Sequence, residues 1–202
     1  MPKLRVHNLA MSTDGYVAGP NQSRDTPLGV GGEALHTWMF EDDIDPIDAE
    51  FRARGEENIG ATIMGRNMFG PIRGEWPDDA WRGWWGADPP FHHPVFVLTH
   101  YAHEPIEMNG GTTFHFTADP IDAVLQRAFA AANGADVRLG GGAATVQQFL
   151  RADLVDDLHV PIVPLLRDGE RLFDRLDGGP DGLACVEFVS SPRIAHVRFA
   201  RP

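Results

Sequence analysis

Arg66 has the plainest chemical potential in the chain because of what precedes it. In Thr62-Ile63-Met64-Gly65-Arg66-Asn67-Met68-Phe69-Gly70, an apolar run rich in β-branched residues ends on a glycine, a cation and a short helical turn. That order puts a guanidinium at the carboxyl end of a buried strand, the end at which open α/β sheets bind ligands, with the backbone N–H groups of Gly65, Arg66 and Asn67 beside it. Thr99-His100 closes a second apolar run, Val95 to Leu98. Gly140-Gly141-Gly142 follows a third, Val137-Arg138-Leu139, and leads into Ala143-Ala144-Thr145 at the head of a helix. Glycines let N–H groups approach a pyrophosphate, and the helix adds the positive end of its dipole. Arg66 can fork onto a phosphate monoester, with Thr99 and His100 as further donors. Taken alone, a glycine triplet before a helix is usually just a tight turn. Together the three groups converge if the strands ending at Met64, Leu98 and Leu139 are neighbours. A phosphate beyond the pyrophosphate points to NADPH.

Two carboxylates are candidates for substrate contact or proton supply. Asp14 stands in the turn Ser12-Thr13-Asp14-Gly15, and Glu33 opens an apparent helix. The structural alternatives are a turn residue before glycine for Asp14 and a first-turn acid complementing the helix dipole for Glu33. Gly29-Val30-Gly31-Gly32-Glu33-Ala34 fits a G-x-G-x-x-A dinucleotide pattern in letters only. Polar residues, not a strand, precede it, and the Rossmann reading is rejected. His92-His93 and His100-x-x-His103 lack metal-site spacing and supporting cysteines, so no metal is expected. Asp42-Asp43 and Asp156-Asp157 read as solvated faces or caps.

The elements that must position these groups follow from pattern. Leu4 to Met11 reads as a buried strand, with Tyr16-Val17-Ala18 as a short one. Gly19 to Gly32 is a long Pro/Gly/Asn-rich loop of the kind that often serves as a lid. Glu33 to Phe40 reads as a helix, and Asp45 opens another with Pro46 at its first position. Residues 70–94 form no regular element yet hold four of the five tryptophans, fit to wall a pocket or to cover a sheet edge or subunit interface. Strands follow at Ile59–Met64, Val95–Thr99, Thr113–Phe116, Val137–Leu139 and Leu154–Val163. Helices run from Ile121 to Ala132, capped by Asp119-Pro120, and from Ala144 to Arg151. Leu183–Val189 and Ile194–Phe199 alternate as an antiparallel hairpin. The class is α/β: a mixed, mainly parallel sheet flanked by helices, with that hairpin at the end.

The 202 residues fit one domain over 1–202, 43% of them hydrophobic and 23% charged. A formal net charge of −12 argues against nucleic acid, which needs a basic face. Cys185, the single cysteine, excludes an internal disulfide and a paired-cysteine metal site. No apolar run is long enough to span a membrane or to read as a signal peptide, so a cytoplasmic protein is expected.

LAMSTDGYVAG near the start, then TIMGRNMFG, VFVLTH, VRLGGGAATVQQFL and LVDDLHVPIVPLLRDGERLF, resemble the dihydrofolate reductase-like superfamily in order and over essentially the whole chain. The resemblance is nearest to the branch of the reductase domain of riboflavin-biosynthesis enzymes. It implies an NADPH-dependent reductase, with hydride passing to a small heterocycle (pteridine, pyrimidine or flavin-like) or a carbonyl compound. Arg66, Thr99 and His100 would hold the 2′-phosphate and Gly140 to Thr145 the pyrophosphate. The backbone of Leu9 and Ala10 would meet the nicotinamide carboxamide, with Ser12 to Gly15 beginning the loop beside the reacting ring. A homodimer is implied as well. Met68 stands where family members often have Thr, and no carboxylate sits in register on the first helix, which speaks against folate. A nucleotide-binding protein without turnover is the alternative on the same fold.

Overall fold

The computed structural model describes every residue except 41, 42, 79, 175 and 177–180. Its strands and helices, in chain order, are β1 (Leu4–Val6), β2 (Met11–Ser12), β3 (Tyr16–Ala18), α1 (Pro46–Arg54), β4 (Ile59–Gly65), α2 (Arg66–Phe69), β5 (Pro94–Leu98), β6 (Ile106–Glu107), β7 (Thr113–Thr117), α3 (Ile121–Ala132), β8 (Asp136–Leu139), α4 (Ala143–Arg151), β9 (Asp157–Val163), β10 (Glu170–Arg171), β11 (Ala184–Ser190) and β12 (Ala195–Ala200).

Ten strands form one sheet in the order β11-β12-β9-β1-β8-β4-β5-β7-β6, with β2 also on β9. The centre is parallel, and β12 closes antiparallel on β9 and β11 as the expected hairpin. The strands ending at Met64, Leu98 and Leu139 are therefore neighbours: β4 lies between β8 and β5. A separate pair, β10 on β3, lies apart from the main sheet.

Alternation along the strands divides the interior. Ala61, Ile63, Phe96, Val137, Leu139, Leu158 and Val160 share a core with Val124, Leu125 and Ala128 of α3 and Val146, Phe149 and Leu150 of α4. Met64, Val95, Val97 and Phe114 belong to a second core with Phe69 and Phe91, roofed by Trp76, Trp81 and Trp85. The tryptophan-rich stretch thus covers the sheet near its β6 edge, while Arg73 and Gly74 within it reach the cavity described below.

Four sequence expectations change in the structure. Leu4 to Met11 is interrupted between β1 and β2, because Asn8 adopts φ 59° and its N–H turns to His159 Nδ1 at 3.3 Å. The helix expected over Glu33 to Phe40 is instead two 3-10 turns, Gly32–Leu35 and Thr37–Met39. Leu35 and Trp38 are its buried residues, and a three-residue spacing suits the tighter helix. Asp157 is no solvated acid: it is 3% exposed and bonded to His7 and Arg198. Asp156 accepts the Leu4 N–H, Asp43 is exposed, and Asp42 lies outside the described residues. Other boundaries move little. Asp45 caps α1 by accepting the Ile47 N–H at 2.8 Å, with Pro46 at the first turn as expected. Asp119 does not cap α3; its carboxylate takes the Thr117 hydroxyl and Arg127.

Candidate functional site

At the carboxyl ends of β4, β5 and β8 lies a cavity of about 500 Å³. The three sequence elements meet there. Gly140 donates its N–H to Ile63 O and Gly65 donates to Gly141 O, both at 2.8 Å, which stitches the glycine turn to the end of β4. Gly141 has φ 116°, a conformation only glycine adopts readily, and the Gly141–Gly142 peptide is cis. A Cβ on Gly65 would run into the Thr145 hydroxyl. Gly142 then caps α4, whose first turn is met by no side-chain cap. N–H groups at the head of a nine-residue helix, walled by the small side chains of Ala143 and Ala144, are left to the cavity.

Arg66 stands across from this turn on α2. Its Nη1 donates to Thr99 Oγ1 at 3.2 Å, and its guanidinium carbon lies 3.7 Å from the centroid of the Trp76 ring and 5.3 Å from that of Tyr101. Nε and Nη2 are buried and have no hydrogen-bond partner among the described residues. Burial lowers the Arg66 pKa, but an arginine stays charged near neutrality. A cation withdrawn from water with two donors unused is the arrangement an anionic ligand would complete. Arg73, exposed at the mouth, adds a second guanidinium.

The cavity is lined by Leu9, Gly65, Arg66, Asn67, Thr99, His100 and Gly140 to Thr145 of the sequence candidates. Ala10 is fully buried among Leu35, Trp38, Val163 and Ile194, and its N–H donates to Asn8 O. Met68 reaches the lining too, with its sulfur and terminal methyl packed on Gly140.

The two proposed acids lie elsewhere. The Asp14 carboxylate accepts the Ser12 hydroxyl at 2.6 Å and the Arg167 N–H at 3.2 Å. Those bonds, the Ser12 one foremost, hold its pKa below the usual range and tie the β2–β3 turn to the segment before β10. Glu33 is exposed on its 3-10 turn. Neither lines the cavity, whose titratable lining on that side is His36 and Glu170 instead. Burial pushes the His36 pKa down to about 4, so at neutral pH it is an uncharged imidazole with one N–H to offer. Glu170 comes from β10, which pairs with β3 through Glu170 and Ala18. Sequence reasoning passed over both. His36 sat inside an apparent helix, and Glu170 lies in a polar stretch whose pairing partner is remote in sequence.

These features define a dihydrofolate reductase-like α/β domain with a cleft at the carboxyl ends of its central strands. The family model of the RibD C-terminal domain matches residues 2–181, and the chain belongs to that family. Among solved structures, a Shewanella sp. PV-4 protein assigned to riboflavin biosynthesis is similar at TM-score 0.65 and 20% identity, over 100% of this chain and 99% of that one. A pyrimidine reductase-like protein of Corynebacterium diphtheriae gives 0.59 and 14%, over 98% and 91%. Dihydrofolate reductase of Enterococcus faecalis, solved with NADP(H), gives 0.55 and 15%, over 98% and 96%. No curated protein matches the sequence significantly. Among the described residues no helix is long and apolar enough to cross a membrane, and no group of three His, Cys, Asp or Glu could hold a metal ion.

Proposed function

We propose that the chain is an NADPH-dependent reductase transferring hydride to a small heterocyclic (pteridine, pyrimidine or flavin-like) or carbonyl substrate. The observation that carries this reading is the half-buried guanidinium of Arg66, with Nε and Nη2 unpartnered among the described residues, beside a glycine turn and a helix start that no side chain caps. Bound NADPH supplies the hydride. The protein's part is to bind, orient and keep water out. Arg66, Thr99 and His100 hold the 2′-phosphate, and Gly65 and Asn67 lie beside them. Gly140 to Thr145 take the pyrophosphate, and the backbone at Leu9, which lines the cavity as the buried Ala10 does not, faces the nicotinamide. Val17, Ala18 and Leu28 give the substrate end apolar walls, while His36 offers its N–H to an acceptor on the substrate. In this reading the chain is one domain over residues 1–202 and a cytoplasmic homodimer acting on a small molecule; the family match over residues 2–181 supports the reductase class.

Arg66→Ala tests the reading. Titration of tryptophan fluorescence is expected to show NADPH binding weakened by roughly 1–3 kcal/mol, the worth of a charge-assisted contact, with NADH binding almost unchanged. Equal losses for both cofactors would sink the 2′-phosphate assignment. One observation favours ligand binding without turnover: neither Asp14 nor Glu33 lines the cavity. Oxidation of NADPH across pteridines, pyrimidines, flavins and carbonyl compounds separates the two, since binding with no turnover by any of them supports the second.

A further inference from the structure

Several of the described arginines rest on carboxylates. Arg54 holds Glu187, Arg138 holds Glu56, Arg198 holds Asp157 and Arg127 holds Asp119. Arg66 has no carboxylate partner among the described residues; it is held by aromatic faces and one hydroxyl. The aromatic plates are themselves fixed. Trp76 Nε1–H donates to the main-chain carbonyl of Tyr101 at 3.2 Å, which fixes the indole against that turn. The Trp76 ring is edged by Phe116 at 5.2 Å and Phe69 at 6.1 Å, and His103 lies against it at 4.6 Å. Tyr101 N–H in turn donates to Thr99 Oγ1, the hydroxyl that also receives Arg66.

An aromatic face and a carboxylate both orient a guanidinium, with opposite consequences for a ligand. A carboxylate neutralises the charge and competes with an incoming phosphate for the same N–H groups. An indole face attracts the cation through its quadrupole and occupies none of the in-plane donors. Stacking on Trp76 therefore leaves Nε and Nη2 available and the charge undiminished.

We propose that Trp76, clamped to Tyr101, is the positioning residue that sets selectivity for a 2′-phosphorylated nicotinamide cofactor, by holding Arg66 flat with two donors free. This rests on the reading of Arg66 as the 2′-phosphate ligand. Trp76 also roofs the second core with Trp81 and Trp85, so its part in packing and its part in selectivity must be read separately.

The experiment measures affinity for NADPH, NADH and the fragment pair 2′-AMP and 5′-AMP, in wild type and in Arg66→Ala, Trp76→Leu, Trp76→Phe and Trp76→Met, by calorimetry. Trp76→Leu is expected to weaken NADPH and 2′-AMP about three- to tenfold, in line with a partly desolvated cation–π contact, and to leave NADH and 5′-AMP unchanged. Trp76→Phe, which keeps a ring face, is expected to recover most of the loss. A tryptophan that merely props the fold would lower all four affinities together, and that result overturns the proposal. So does a Trp76→Leu protein with the wild-type NADPH to NADH ratio while Arg66→Ala loses it, an outcome that leaves the cofactor reading standing. Wild type without any preference for 2′-phosphate defeats both. If Trp76→Leu does not fold, Trp76→Met carries the test at the same position, with the same selective loss expected and an equal loss of all four affinities overturning the proposal.

Discussion

A glycine at position 65 is demanded by a neighbour and not by its own backbone. Its φ of −78° is open to any residue, but a Cβ there would meet the Thr145 hydroxyl. Gly65→Ala is accordingly expected to destabilise the fold by about 1–3 kcal/mol, the usual range for overpacking a filled site. Adding Thr145→Ala removes the obstructing oxygen, and the double variant is expected to regain most of that loss in urea unfolding. Loss of stability in the double variant equal to the sum of the two single losses would contradict the steric cause. At this scale the sequence was informative where chemistry and backbone need coincide. Gly65, Arg66 and the glycine triplet announce a tight turn beside a cation, whatever the ligand. His36 and Glu170 were illegible, because their place in the cavity depends on 3-10 turns and a two-residue strand that leave no periodic trace.

At the scale of elements, α1 is joined to the break between β1 and β2 by a buried chain of hydrogen bonds. Asn8 N–H donates to His159 Nδ1, so the His159 proton sits on Nε2 and is given to His196 Nδ1 at 3.1 Å. His196 must then carry its own proton on Nε2, which it donates to Asp48 Oδ1 at 2.8 Å. Phe51 stacks on both rings. Each imidazole is satisfied only as the neutral form, and burial foremost, with Arg54, holds both pKa values below 6.5; the charges of His7 and His196 add to this at His159, while Asp48 opposes it at His196. His7 is lowered as well, and His36 and His93 fall to about 4. The unfolded chain takes up these protons near pH 6.5 and the folded one at lower pH. Stability is therefore full above about pH 6.5 and falls on acidification toward pH 4, by up to about 1.4 kcal/mol per histidine per pH unit. His159→Phe is expected to lower stability at pH 7 by about 1–3 kcal/mol, since it strands the Asn8 N–H and His196 Nδ1, and to flatten the acid slope between pH 6 and pH 4. Urea unfolding at several pH values checks both, and an unchanged slope would remove His159 from the acid response. Helix α3 and strands β5 and β7 were legible from periodicity, since each buries one continuous face or run. The interruption at Asn8 was not. It is imposed by His159, some 150 residues away, and local pattern carries no sign of a hydrogen bond at that range.

Across the whole molecule, strand order was the quantity that had to be assumed from sequence, because neighbours in the sheet are remote in the chain. Once β8, β4 and β5 lie side by side, the cavity follows. The opposite edge raises a separate matter. β11 ends the sheet, and the register shift between Cys185 and Glu187 puts Cys185, Phe188 and Ser190 on one face, exposed without a charge among them, with Phe188 at 67% and Val186 in the bulge at 50%. Edge strands are usually blunted by charge, proline or a covering element. On this strand the charged Glu187 turns to the other face, where it binds Arg54. A two-fold copy laid on the uncharged face would cover the apolar residues of both protomers with one self-complementary patch. The homodimer proposed above is therefore expected to use β11. Light scattering should give twice the chain mass for wild type, and Phe188→Glu should shift the population to monomer while the far-ultraviolet circular dichroism stays as it was. A dimer that persists undiminished in Phe188→Glu would move the interface to another surface, and the tryptophan-rich cover of the β6 edge is the next apolar element to substitute.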